Sequence, residues 1–136
     1  MKTWAGYFLS PLLILLFCCT SPTHSGKGEV IFIGEPAWYI FQMEEWHGHK
    51  EYYIRTFGEL EVTATIQNIG TGKATDLYLC VSLFEDKEET TELCSGKVFI
   101  TPQLEAGASY SFVVKYKFEY CKQVIVKSVK LGLEWN

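Results

Sequence analysis

Long apolar runs are scarce in this chain of 136 residues. Trp4 to Cys19 gives 16 residues, short of the roughly 20 that a helix needs to cross a bilayer. After residue 28 no window repeats apolar side chains at helical spacing, which argues against amphipathic helices as the main element. There is no Cys-x-x-Cys, so a thioredoxin-like redox centre or a zinc ribbon has no support. There is no Gly-x-Ser-x-Gly elbow either, and histidine occurs only at positions 24, 47 and 49. Gly70-Thr71-Gly72-Lys73 lacks the spacing of a phosphate-cradling loop. Glu59 and Glu61 share one side of an expected strand, without the contrasting environments that acid–base work requires. Lysines 115, 117, 122, 127 and 130 are spread over two expected strands. Nucleic acid, which needs a concentrated basic face, is therefore not an expected partner. These absences point to a protein that is not an enzyme and carries no cofactor.

What is present begins at the N-terminus. Lys2 precedes an apolar run from Leu12 to Phe17, then Cys18 and Cys19, then polar Thr20 to His24. That is the layout of an export signal. Residues 1–19 are expected to be a signal peptide or lipoprotein signal, 20–28 a polar tether, and 29–136 a single folded domain. Leu16-Phe17-Cys18-Cys19 resembles a bacterial or archaeal lipobox. That resemblance implies a lipid on Cys19 (or Cys18) and an extracytoplasmic, membrane-anchored protein. A cleaved, secreted form and an uncleaved anchor are the alternatives.

Without residues 1–18 the chain holds 11 Lys+Arg against 16 Asp+Glu. An apolar share of 48% and an aromatic share of 15% supply one core amply. Cys80, Cys94 and Cys121 remain. In an oxidising compartment one pair plus one leftover thiol is the natural arithmetic. Cys80 and Cys94, on neighbouring strands flanking a short turn, are the expected disulfide; three buried free thiols are the other possibility.

The domain reads as short strands. Val30–Ile33 and Trp38–Phe41 are extended runs, His47–Lys50 a turn, and Tyr52–Ile54 resumes extension before Gly58. Leu60, Val62, Ala64 and Ile66 then alternate with Glu61, Thr63, Thr65 and Gln67, the period of a half-buried strand. Leu77, Leu79, Val81 and Leu83 point inward, with Asp76, Tyr78, Cys80, Ser82 and Phe84 opposite. Asp86–Glu89 turns the chain, Leu93–Ile100 returns it, and Pro102–Gly107 is a loop. Tyr110, Phe112, Val114, Tyr116 and Phe118 share one face, and Val129, Leu131 and Leu133 close the core. The pattern predicts an all-β chain, an immunoglobulin-like antiparallel sandwich of about seven strands.

Val62 to Gly72 resembles the "V-x-V-x-V-x-N-x-G" strand and turn of CARDB and FxLYD domains, immunoglobulin-like modules of extracytoplasmic bacterial and archaeal proteins. Val81 to Asp86 is similar to the FxLYD signature strand, with Val81, Phe84 and Glu85 in place of Phe, Tyr and Asp. Leu104 to Phe112 resembles the "L-x-P-G-x-x-x-x-F" turn, with Ala106 in place of Pro. The likeness covers about residues 60–135 and implies a non-catalytic module for adhesion, presentation or spacing. Asn68 and Gly70 are expected to supply the left-handed backbone of the turn.

Two clusters could carry binding. Glu44, Glu45, His47, His49 and Glu51 gather potential ligands, with His47 and His49 as the imidazoles of a possible metal site, although such sites need three or four fixed ligands. Trp38, Tyr39 and Trp46, together with Phe41, Tyr52 and Tyr53, are residue types that anchor interfaces. Trp38–Phe41 carries aromatics on both faces of any strand, so a second sheet, a loop or a protein partner must cover one of them.

Overall fold

The structure, a computed structural model, describes residues 2–3, 26–47 and 53–136. It is all-β, with two antiparallel sheets packed face to face as a sandwich. In chain order the strands are β1 (Lys2–Thr3), β2 (Val30–Phe32), β3 (Ala37–His47), β4 (Tyr53–Asn68), β5 (Ala74–Phe84), β6 (Glu92–Leu104), β7 (Ser109–Tyr120) and β8 (Ser128–Trp135). One sheet runs β1-β8-β5-β6; in the other, β4 is central, with β2 and β3 along one edge and β7 along the other. The order β3-β4-β7 against β8-β5-β6 is that of strands A-B-E against F-C-C′ in an immunoglobulin-like sandwich. Beside β8, where strand G lies in that fold, only Lys2–Thr3 is found among the described residues; Lys2 pairs with Trp135 and Thr3 with Glu134.

Alternation builds the core as the sequence predicts. Leu60, Val62 and Ile66 of β4 and Leu77, Leu79, Val81 and Leu83 of β5 are almost wholly buried between the sheets. Each such side chain contributes about 1.5–3 kcal/mol through the apolar surface it removes from water. The inner face of β7 follows β4 residue by residue: Phe112 lies opposite Ala64, Tyr116 opposite Leu60 and Tyr120 opposite Thr56. Phe118 and Tyr120 stack with ring centroids 6.1 Å apart, extending the aromatic ladder to the strand end. Trp135 continues the inward row of β8 and donates from Nε1 to the Gly28 carbonyl at 3.1 Å, joining the two sheets.

Several details depart from the sequence reading. β4 is one strand of 16 residues and does not break at Gly58. A Cβ there would lie 2.0 Å from the Phe41 carbonyl oxygen and 2.7 Å from the Phe118 ring, so glycine lets three strands close on one point. β6 passes through Pro102 to Leu104, which shortens the expected loop. Phe84 is buried and not outward, because the β5–β6 register shifts between Leu83 and Phe84. Asn68 and Gly70 are not left-handed; among the described residues positive φ occurs at Gly34, Asp76, Glu89 and Gly107. Asn68 acts instead through its buried side chain, and Gly70 is needed because a Cβ would sit 2.2 Å from the Lys27 carbonyl oxygen.

The expected Cys80–Cys94 disulfide is absent, and all three described cysteines are free. Register decides this. Cys80 lies opposite Lys97, while Cys94 lies opposite Leu83, whose side chain is in the core. The two thiols therefore emerge on opposite faces of the sheet, where no disulfide geometry can join them.

Candidate interaction surface

β3 is an edge strand whose outer and inner faces both carry large apolar side chains. Its pairing with β4 assigns the faces: Tyr39, Phe41 and Met43 lie opposite Glu61, Glu59 and Phe57 on the outside. Trp38 and Ile40 lie opposite the buried Val62 and Leu60 on the inside. Tyr39 is 68% exposed, Phe41 52% and Met43 49%. Trp38, although inward-facing, is 46% exposed. Edge strands are ordinarily guarded by lysine, proline or inward charge. Between Ala37 and Met43 this one has none.

The rest of the outer face is mainly polar, with Val113 of β7, 60% exposed and opposite Thr63, the apolar exception. Successive rows across β3, β4 and β7 read Tyr39–Glu61–Lys115, Phe41–Glu59–Lys117 and Met43–Phe57–Glu119. Lys115 Nζ lies 3.7 Å from Glu59 Oε1, and Arg55 Nε lies 3.0 Å from Glu119 Oε1 while its guanidinium caps the Phe57 ring. The Thr65 and Ser111 hydroxyls are hydrogen-bonded at 2.8 Å. The apolar column is thus flanked by a charged field on one side and by the free edge of β3 on the other. That is the make-up of a binding patch, with large amphipathic anchors beside a polar rim.

Several other polar groups hold the fold together. Asn68 Oδ1 accepts from the amides of Glu29 and Gly70, both at 3.0 Å, and its Nδ2 donates to the carbonyls of Gly72 (2.8 Å) and Leu104 (2.9 Å). Buried Thr56 donates to the Lys122 carbonyl at 2.9 Å, and the Tyr120 hydroxyl donates to the Val124 carbonyl. Together they hold the 121–127 segment against the sandwich end. Burial, reinforced by the carboxylate of Glu134, pushes the Cys80 thiol up from its ordinary range. Burial also raises Cys94, against the opposing effect of its hydrogen bond with Tyr116. Neither thiol is therefore a poised nucleophile. A groove of about 560 Å³ lies between Glu44 and the 123–127 segment, with Glu85, already paired with Lys122, on its wall.

Of the residues singled out from sequence, Tyr39 falls on this surface, whereas Trp38 lies on the inner face of β3. Trp46 lies in the same strand, paired with Ile54. Cys18, Cys19, His49, Glu51 and Tyr52 lie outside the described residues, and His47 is the last residue of β3. No group of three or more His, Cys, Asp or Glu is placed to hold a metal among the described residues. Sequence reasoning missed Met43. Extending the alternation Tyr39, Phe41 by two residues would have found Met43. No protein-family model, curated protein or solved structure matches the chain.

Proposed function

We propose that this protein is a non-catalytic interaction module of the extracytoplasmic side, tethered to a membrane through a lipid on Cys19 and binding a protein partner through β3. The observation that carries the partner reading is the unguarded column Tyr39, Phe41 and Met43 on an edge strand. Clustered exposed apolar side chains cost solubility unless something covers them. The resemblance of residues 60–135 to CARDB and FxLYD domains supports the same role, and the signal layout of residues 1–19 supports the address.

A photo-crosslinking side chain at position 41, expressed in an export-competent host, tests the surface. Adducts from position 41 and none from position 111, on the far strand of the same face, are the expected result. Equal yields from both positions would end the proposal for β3. Intact mass of the membrane fraction tests the tether separately: residues 19–136 plus a lipid are expected, and an unmodified soluble chain would remove it.

A further inference from the structure

Among the described residues the sandwich is sealed along one side and open along the other. On the sealed side the Tyr116 ring of β7 lies over Gly96 of β6, and its hydroxyl is hydrogen-bonded with Cys94. On the open side β3 and β8 are the flanking strands, pinned to the opposite sheet only near their ends. Trp135 reaches the Gly28 carbonyl at one end, and the Val126 amide donates to Gln42 Oε1 at 3.3 Å near the other. Between these pins, inward-facing Trp38 and Ile40 of β3 stay partly in water. Val129 and Leu131 of β8 share the inner face with buried Leu133, yet are only half-buried. Four apolar side chains aimed at the sandwich interior thus keep part of their surface in water, and among the described residues only Lys2–Thr3 lies beside β8 to cover them. The hydrogen-bonding edge beside them is competent, because Lys2–Thr3 already pairs antiparallel with Glu134 and Trp135.

We propose that in the exported protein the edge of β8 on which Lys2–Thr3 lies accepts an extended strand from a partner protein, running antiparallel to β8, with apolar side chains at alternate positions filling the slot between β8 and β3. Main-chain bonds to an exposed edge give such additions their affinity, and pockets for alternate side chains give their specificity. The register of Lys2–Thr3 fixes which partner positions matter: those opposite Leu133, Leu131 and Val129 face the slot. The proposal rests on the tethered-module reading, in which export removes residues 1–18 and with them Lys2 and Thr3 from the edge.

The probe is the octapeptide Lys-Thr-Trp-Ala-Gly-Tyr-Phe-Leu, the sequence of residues 2–9, which in that register sets Trp, Gly and Phe toward the slot. Hydrogen exchange is followed in the full-length gene product purified from membranes, after intact mass has shown which residues it retains. The peptide is expected to slow exchange across 128–135 in the parent and in Phe41→Glu. Its binding is expected to weaken at least about tenfold in Trp38→Lys and when its central Gly is replaced by Pro. No protection of β8, or equal binding of the Pro peptide, would overturn the proposal. So would β8 protection without peptide: in concentration-dependent dimers it would assign the edge to a second copy, and in a chain retaining residues 1–18 to the chain's own N-terminus. The mass reports the tether reading and the exchange reports the edge, so the two can fail separately.

Discussion

At residue scale, the Asn68 side chain uses its whole hydrogen-bonding capacity. Its two amide hydrogens go to the carbonyls of Gly72 and Leu104, and its oxygen takes the amides of Glu29 and Gly70. One buried side chain thus ties the chain entering β2, the β4–β5 turn and the end of β6. Asn68→Ala leaves two amides and two carbonyls without that partner inside the protein. The expected loss is about 2–4 kcal/mol, read from urea unfolding; a loss below about 0.5 kcal/mol, the scatter of ordinary surface substitutions, would show the hub to be dispensable. The cysteines allow a second prediction. Cys121 is exposed, whereas Cys80 and Cys94 are half-buried with raised thiols. In a native alkylation time course without reductant Cys121 should react first, and unfolding should release Cys80 and Cys94 to the same reagent. Persistent protection of both in denaturant, lifted only by reductant, would mean that they are bridged after all.

At the scale of elements, β3 and β4 separate what substitutions do to stability from what they do to binding. Phe41 projects into solvent but lies opposite Glu59, so Phe41→Glu should cost no more than about 1 kcal/mol of unfolding free energy while abolishing association through the patch. Gly58 lies one row away on the neighbouring strand, and Gly58→Ala should cost about 1–3 kcal/mol, since the new methyl meets backbone rather than a side chain that can swing aside. A thermal unfolding series compares the two; the order Gly58→Ala below Phe41→Glu is the expected one. These strands also show what was legible in the sequence. Period-two alternation in 60–66, 77–83 and 110–118 fixes the buried faces, because a half-buried strand has only one way to hide its apolar side. It does not report where a ladder shifts. Phe84 and the Cys80–Cys94 pairing went wrong at the β5–β6 register, which depends on pairing across the turn and not on either strand alone. Asn68 was visible as a turn residue, but two of its four partners lie 36 and 39 residues away and leave no local trace. Trp38 and Tyr39 were legible as interface types. Which faces inward could be read only once β3 had a partner.

At the scale of the whole molecule, four partly buried groups couple its stability to alkaline pH. Tyr116, Tyr120, Cys80 and Cys94 all titrate higher in the folded protein than their ordinary values, in each case first because burial disfavours the charged form. Between the ordinary and the raised value the unfolded chain has lost protons that the folded one keeps, so stability falls as pH rises. The two thiols begin to contribute above about pH 9 and the two tyrosines above about pH 10, their ordinary values. Below that range all four are protonated in both states and contribute no slope. Urea midpoints should therefore drop steadily from pH 9 to pH 11. Replacing Tyr116 by Phe and Cys94 by Ala together, which removes two of the four groups from the seam between β6 and β7, should lower stability at pH 8 and flatten the alkaline slope. The slope comparison is the informative one, because a merely worse-packed seam would shift the whole curve down without changing its shape. A parallel displacement would mean that the alkaline sensitivity originates elsewhere in the fold.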